Sequence, residues 1–144
     1  YLLLFALISF LTSCKDEVDD INMTATELIS LNKWQLDRYS SPSSGKTIAE
    51  NQLNAGAVAI FSMYYVFGKD QFVIAYDKAS NQLVSKGAWS FYENETKIKV
   101  ELIGTTLDFD VSELKKGKMI LKATTGNYLS GVGEEINLEF KEKL

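Results

Sequence analysis

The sequence predicts an all-β protein, an eight-stranded antiparallel up-and-down barrel preceded by a short helix. Apolar and polar residues alternate along much of the chain, most regularly at 97–102, where aliphatic and charged side chains fall on opposite faces. This period of two is typical of antiparallel strands with one buried and one solvated face. Eight such segments joined by short turns can close into a small barrel, and an open sandwich is the alternative. The lack of helical patterns between the strands excludes a parallel α/β sheet.

The predicted elements begin at Thr24 and Glu27, which have the spacing of a capping box and predict a short helix at the start of the domain. Apolar alternation, bounded by glycine and polar turn residues, then predicts the strands. We place them at 33–39, 61–67, 71–77, 83–92, 97–102, 107–111, 118–125 and 136–141.

Composition limits the chemistry that this chain can perform. It has 144 residues, a net charge of −4, one cysteine and no histidine. One cysteine cannot form an internal disulfide, and without histidine there is no Ser–His or Cys–His catalysis and no His-ligated zinc. We interpret Asp108 and Asp110 as solvated carboxylates on the polar face of a strand. We therefore expect no enzyme activity, no cofactor, no metal and, from the charge, no nucleic-acid partner.

The first thirteen residues are uncharged and strongly apolar. This run is too short to span a bilayer and is typical of the apolar part of a secretory signal, whose basic n-region we take to be trimmed from the sequence. Residues 11–14 (LTSC) resemble the bacterial lipobox, in which the cysteine becomes the lipidated first residue of the mature protein. The resemblance implies that Cys14 is a membrane anchor. The alternative is a buried segment that ends in an inert thiol.

The residues after the cysteine suggest where the protein is anchored. Lys15, Asp16 and Glu17 resemble the export signal of surface-exposed lipoproteins of Bacteroidetes, although the same residues also fit a plain solvated tether. The resemblance implies an outer-membrane lipoprotein on the cell surface, with the periplasmic face as the alternative. We divide the chain into a signal peptide (1–13), a lipidated acidic tether (14–23) and a barrel domain (24–144).

Two connections are candidates for binding a ligand or partner. The first, residues 40–60, is unusually long, with a short helix predicted at 47–54, and acts either as a lid that binds or as a plug over one barrel mouth. Its candidate contact residues are Ile48 and Leu53. The second, the glycine-rich stretch 126–133, lacks the features of a phosphate-binding loop and offers Tyr128 and Leu129. In an up-and-down barrel both connections lie at the same end.

Three segments resemble the lipocalin-like family. Residues 31–36 (LNKWQL) resemble its first-strand Leu-x-Gly-x-Trp-x-Leu signature, 68–72 its second hairpin and 87–91 its central Gly-x-Trp strand. Asn32 replaces the usual glycine, and because asparagine tolerates a left-handed backbone we expect the turn to survive. The resemblance extends over 28–144 and implies that Trp34 packs at the closed end of the barrel. The sequence is similar to small lipocalin-like lipoproteins of Bacteroidetes, and no C-terminal helix is predicted after its last strand, unlike in the longer secreted members.

The predicted interior determines how much room a ligand would have. Alternation points nineteen mostly bulky residues inward, among them Trp89, Phe72 and Ile74, and such an interior favours a shallow pocket at one mouth over a large cavity. We expect a non-enzymatic, membrane-anchored protein that binds a small hydrophobic or glycan-like ligand. The alternative is a protein-interaction module, an accessory or inhibitor in a surface complex, with a solid barrel.

Overall fold

Eight antiparallel strands form one closed barrel in sequence order, with β8 returning to pair with β1. The computed structural model describes residues 22–123 and 135–144. The closed antiparallel barrel confirms the predicted fold class. The elements are α1 (Ala25–Leu31), β1 (Lys33–Ser40), α2 (Ala55–Phe61), β2 (Met63–Phe67), β3 (Phe72–Asp77), β4 (Leu83–Tyr92), β5 (Lys97–Leu102), β6 (Thr105–Lys115), β7 (Lys118–Ala123) and β8 (Ile136–Glu142).

Helix α1 covers one end of the barrel, which we call the closed end. The predicted capping box is present: the Thr24 amide donates to Glu27 Oε2 (2.9 Å), and the Glu27 amide donates to the Thr24 hydroxyl (3.2 Å). On the inner side of the helix Ile29 is fully buried, and its carbonyl accepts a hydrogen bond from the Trp34 indole (2.7 Å). Trp34 is itself fully buried and seals this end.

The junction between α1 and β1 corrects one expectation. Asn32 is extended (φ −120°, ψ 160°) and therefore forms no left-handed turn. Its amide, oriented with the nitrogen toward Glu142, lies 3.0 Å from Glu142 Oε1 and 3.2 Å from the Gly117 amide. Asparagine serves here as a polar bridge to the β6–β7 turn and the end of β8, a role that glycine could not fill.

Strand β3 presents the opposite face from the one predicted. Phe67 pairs with Val73 in the antiparallel register, so Val73 shares its inward orientation, and Val73 and Ala75 are fully buried. Phe72 is 45% exposed, under the ammonium of a lysine, and Ile74 points outward with it. Because every residue from 72 to 75 is apolar, hydrophobicity alone could not assign the faces. The smaller pair of side chains, those of Val73 and Ala75, therefore faces inward and packs in the core.

The long β1–β2 connection contains a helix, but not where it was predicted. A 3₁₀ turn covers Glu50–Gln52, and the α-helix begins only at Ala55 and ends at Phe61. The cause is local, because the Asn54 side chain accepts from the Ala57 amide (2.9 Å) and so caps the helix there. Residue 61 consequently ends α2, and β2 begins two residues later than expected.

Several predicted features lie outside the described residues. These are the signal peptide, the tether with Cys14 and its neighbours, and the glycine-rich stretch 126–133. Within the described part of the chain, neither helix is long and apolar enough to cross a membrane. All eight strands of the closed barrel lie between Asn22 and Leu144, so this segment is the unit for experiments in solution.

Candidate ligand-binding cavity

A cavity of about 370 Å³ opens at the end of the barrel opposite α1, which we call the mouth. Five strands, helix α2 and the β5–β6 turn contribute to its wall. The lining residues are Gly56, Ala59, Ile60, Met63, Tyr65, Phe67, Val100, Leu102, Ile103, Thr105, Leu107, Phe109, Leu121, Leu138 and Phe140. The cavity lies at one mouth of the barrel, where the predicted interior of bulky residues favoured only a shallow pocket.

Among the described residues that form the cavity wall there is no charged side chain, and only Tyr65 and Thr105 bring hydroxyl groups to it. Burial raises the pKa of the Tyr65 phenol, so it stays neutral and can donate a hydrogen bond at physiological pH. Its partner is the Ile60 carbonyl at 3.4 Å, a long contact that leaves the hydroxyl able to bind a ligand as well. Such a wall suits an uncharged molecule with one polar group at most.

Helix α2 is held over the mouth by a buried tyrosine. The Tyr39 hydroxyl donates to the Ala57 carbonyl (2.9 Å), and both residues are fully buried. Burial, and secondarily the nearby Tyr65, raises the pKa of Tyr39, which keeps its donor proton in place. The Tyr39 ring also meets Phe61 edge-on at 5.3 Å. The helix thus covers one side of the mouth and leaves the other side open.

Interlocked aromatic rings form the floor beneath the cavity. Phe67 lines the cavity and packs edge-on against Trp89 (5.6 Å), which in turn packs against Phe91 (5.3 Å). The Trp89 indole donates to the Gly68 carbonyl (3.0 Å). Both tryptophans are buried, as predicted, and neither lines the cavity. The floor is therefore closed to the far end of the barrel.

Apolar side chains are exposed at the mouth end of the barrel. Val58 lies on α2, Leu83 and Val84 begin β4, and Ile103 lies in the β5–β6 turn; their exposed fractions run from 37% to 62%. Only Ile103 among these four also lines the cavity. The rim offers apolar surface to a molecule that enters from this end.

The residues predicted as contacts have different placements. Ile48 and Leu53 lie in the β1–β2 connection and pack against the barrel core, but they do not line the cavity. The Ile48 amide donates to the Tyr39 carbonyl (3.0 Å), which ties this connection to β1. Tyr128 and Leu129 lie outside the described residues and stay predictions. Among the described residues, β7 ends and β8 begins at the mouth.

Sequence reasoning predicted the 40–60 connection as a binding element but singled out Ile48 and Leu53 in it, not the α2 residues beside the cavity. Gly56 and Ala59 line it, and their small size leaves room between the helix and the barrel. The signal was the run of small apolar residues at 55–60, which is unusual in a loop. Its position beside the cavity follows from the Asn54 cap and the Tyr39 hydrogen bond.

Carboxylates on the outside of the barrel are engaged in ordinary surface contacts. Asp108 accepts a hydrogen bond from the Tyr92 hydroxyl (3.1 Å), and Asp110 pairs with Lys122 (3.3 Å). Within 22–123 and 135–144, no three acidic, cysteine or histidine side chains come together as a metal site would require.

Comparison with known proteins gives a likeness of fold only. No protein-family model matches the chain, and no curated protein matches it. Among solved structures it is similar to a lipocalin-like protein from Bacteroides uniformis, at 16% sequence identity and a TM-score of 0.49. That similarity covers 78% of this chain and 96% of the other. It concerns the arrangement of the backbone and says nothing about a ligand.

Proposed function

We propose that this protein is a non-enzymatic binding protein that holds one small, uncharged and mainly apolar molecule in the mouth cavity. The observation that carries the proposal is a cavity of about 370 Å³ whose described wall residues include no charged side chain. Protein pockets that bind small molecules are mostly apolar and begin at roughly 300 Å³, so this one lies at the small end of that range. It could hold about a dozen water molecules, or one compact organic ligand.

The chemistry of the wall favours a hydrophobic ligand over a glycan-like one. A sugar buried here would leave most of its hydroxyl groups without partners, and each would cost about 1–3 kcal/mol. Only Tyr65 and Thr105, among the described lining residues, offer hydroxyls in return. A carboxylate or ammonium would find no counter-charge on this wall, and the desolvation cost would be larger still. For a ligand of about 17 non-hydrogen atoms, we expect a Kd on the order of 10 µM.

The alternative function, a protein-interaction module with a solid barrel, receives less support. Its premise was an interior filled by bulky side chains, whereas the barrel encloses a cavity that opens at the mouth. The exposed rim residues could meet a protein partner, but one of them, Ile103, also lines the cavity and would contact a ligand.

Filling the cavity tests the proposal. Val100 is buried in β5 and lines the cavity, so a Val100→Phe side chain would extend into the empty space. We expect Val100→Phe to weaken binding of N-phenyl-1-naphthylamine, an uncharged fluorescent probe, at least tenfold. Because the cavity accepts the added ring, the free energy of unfolding should change by less than about 1.5 kcal/mol. Fluorescence titration of Asn22–Leu144, purified without detergent, measures the Kd.

The matched control is Val66→Phe, the same substitution on an outward-facing residue of β2, which pairs with Lys33. Its Kd for the probe should equal that of the unmodified protein. Equal weakening by the two variants, or none by either, would show that the probe binds outside the cavity. Failure of the unmodified protein to bind the probe saturably would refute the proposal.

We further propose that the protein is anchored through Cys14 as an outer-membrane lipoprotein exposed at the cell surface. The support is the lipobox resemblance and the apolar run before it. The described chain starts beside α1, at the closed end, while the cavity opens at the opposite end. A ten-residue tether (14–23) reaches at most about 35 Å. Anchoring would therefore join the membrane to the closed end and leave the mouth free to take ligand from outside.

Replacing Cys14 by serine tests the anchor. In cells that express the precursor behind a basic n-region, we expect the unmodified protein in the outer-membrane fraction, with an alkyne fatty acid incorporated into it. Cys14→Ser should lose the label and leave the membrane fraction. Absence of label from the unmodified protein, or label on Cys14→Ser, would contradict lipidation of Cys14. Protease accessibility on intact cells separates surface from periplasmic placement.

A further inference from the structure

The β5–β6 turn holds a residue that its backbone disfavours. Ile103 and Gly104 are the two central residues of a tight hairpin between Leu102 and Thr105, and both have positive φ (54° and 70°). Such turns favour Asn-Gly or Asp-Gly, because an asparagine or a glycine tolerates the left-handed conformation. A β-branched residue there is a conformational outlier. Of the six non-glycine residues with positive φ in the described chain, Ile103 alone is β-branched.

Packing against the rest of the protein does not explain this isoleucine. Its side chain is 62% exposed, so it contributes little to the hydrophobic core. Its backbone is held in place nonetheless, because its amide donates to the Ser85 hydroxyl on β4 (3.2 Å). The residue lines the cavity at the mouth, as Gly56 and Ala59 of α2 do. Ile103 therefore combines a disfavoured backbone conformation, an exposed apolar side chain and a place in the cavity wall.

We propose that Ile103 is a ligand-contacting residue that determines specificity, and that its side chain closes over the bound molecule at the mouth. This inference depends on the proposed function and extends it. A ligand that fills the cavity would cover Ile103 and remove its apolar surface from water, whereas the packing of the protein chain leaves that side chain 62% exposed. The contact selects ligands that are apolar at the mouth end as well as at the floor.

Substitution by asparagine separates the two roles of the residue. Ile103→Asn relieves the backbone strain and removes the apolar contact. We expect its Tm to rise by about 3 °C, and its Kd for N-phenyl-1-naphthylamine to rise about tenfold, as for the loss of a buried isoleucine side chain. Ile103→Leu keeps an apolar side chain without β-branching, so its Kd should stay within about threefold of the original. Both are measured on Asn22–Leu144.

The control is Gln71→Asn, at another residue with positive φ (65°), which lies in the β2–β3 turn at the closed end. Its Tm serves as the direct comparison for that of Ile103→Asn, and its Kd should not change. An unchanged Kd in Ile103→Asn, beside saturable binding to the unmodified protein, would overturn this inference and leave the proposed function standing. A lower Tm in Ile103→Asn would also overturn it, by showing a structural role. No saturable binding to the unmodified protein would overturn both.

Discussion

Replacing Gly87 by alanine is expected to cost about 4 kcal/mol of stability or more, a large effect for the addition of one methyl group. A Cβ atom at Gly87 would lie 1.6 Å from the Glu101 carbonyl oxygen and 2.8 Å from its carbon. Those atoms belong to the backbone of β5, which pairs with β4 through Trp89 and Val100 and with β6 along its length. Relief of the clash would separate paired strands, so the barrel must open or distort.

Chemical denaturation of Asn22–Leu144 measures the cost, with two other glycines as controls. Gly56→Ala in α2 should be neutral or stabilising by up to about 1 kcal/mol, because its nearest contact is an ordinary 3.4 Å. Gly104→Ala meets no atom within 4 Å but has φ +70°, and should cost about 1–2 kcal/mol. If Gly87→Ala unfolded at the same denaturant concentration as Gly104→Ala, the close approach of β5 to β4 would be wrong.

Replacing Trp34 by phenylalanine should lower the free energy of unfolding by about 2–3 kcal/mol. The variant loses the indole donor and leaves the Ile29 carbonyl buried without its partner. It also opens a void beneath α1, because Trp34 is fully buried. The effect should appear as a lower midpoint of denaturation with an unchanged slope. Binding of the probe should persist in the folded variant, since Trp34 does not line the cavity.

Tyr92→Phe is the control for Trp34→Phe, because it also deletes one hydrogen bond from an aromatic side chain. That bond, to Asp108, lies at the surface, where water replaces it. We expect Tyr92→Phe to change the free energy of unfolding by no more than about 0.5 kcal/mol. A cost for Trp34→Phe as small as that for Tyr92→Phe would mean that α1 does not close the barrel as described.

Most of the fold could be predicted from sequence because local patterns determine it. The alternation at 97–102 predicted β5 with both of its bounds, and the capping box at Thr24 predicted the start of α1. The prediction of which residues face inward failed in β3, where residues on both faces of the strand are apolar. Residues 72–75 are all apolar, so the faces of β3 depended on its register with β2, which is a long-range property.

The candidate site was harder to predict because a cavity is the space that side chains leave empty. The bulky residues predicted to face inward favoured only a shallow pocket at one mouth, whereas a cavity of about 370 Å³ opens there, with the small residues Gly56 and Ala59 in its wall. The sequence did not indicate that Ile103 lies in a turn at the cavity, since an isoleucine before a glycine is typical of the end of a strand. Its positive φ follows from closing the hairpin between β5 and β6 in two residues.

The most direct test of ligand binding in the mouth cavity is native mass spectrometry of Asn22–Leu144 with N-phenyl-1-naphthylamine, beside the Val100→Phe variant. We predict one bound probe per protein, saturating at micromolar concentrations, lost on unfolding and strongly reduced in Val100→Phe. No bound probe, or several per chain with equal binding to Val100→Phe, would contradict a single apolar site in this cavity.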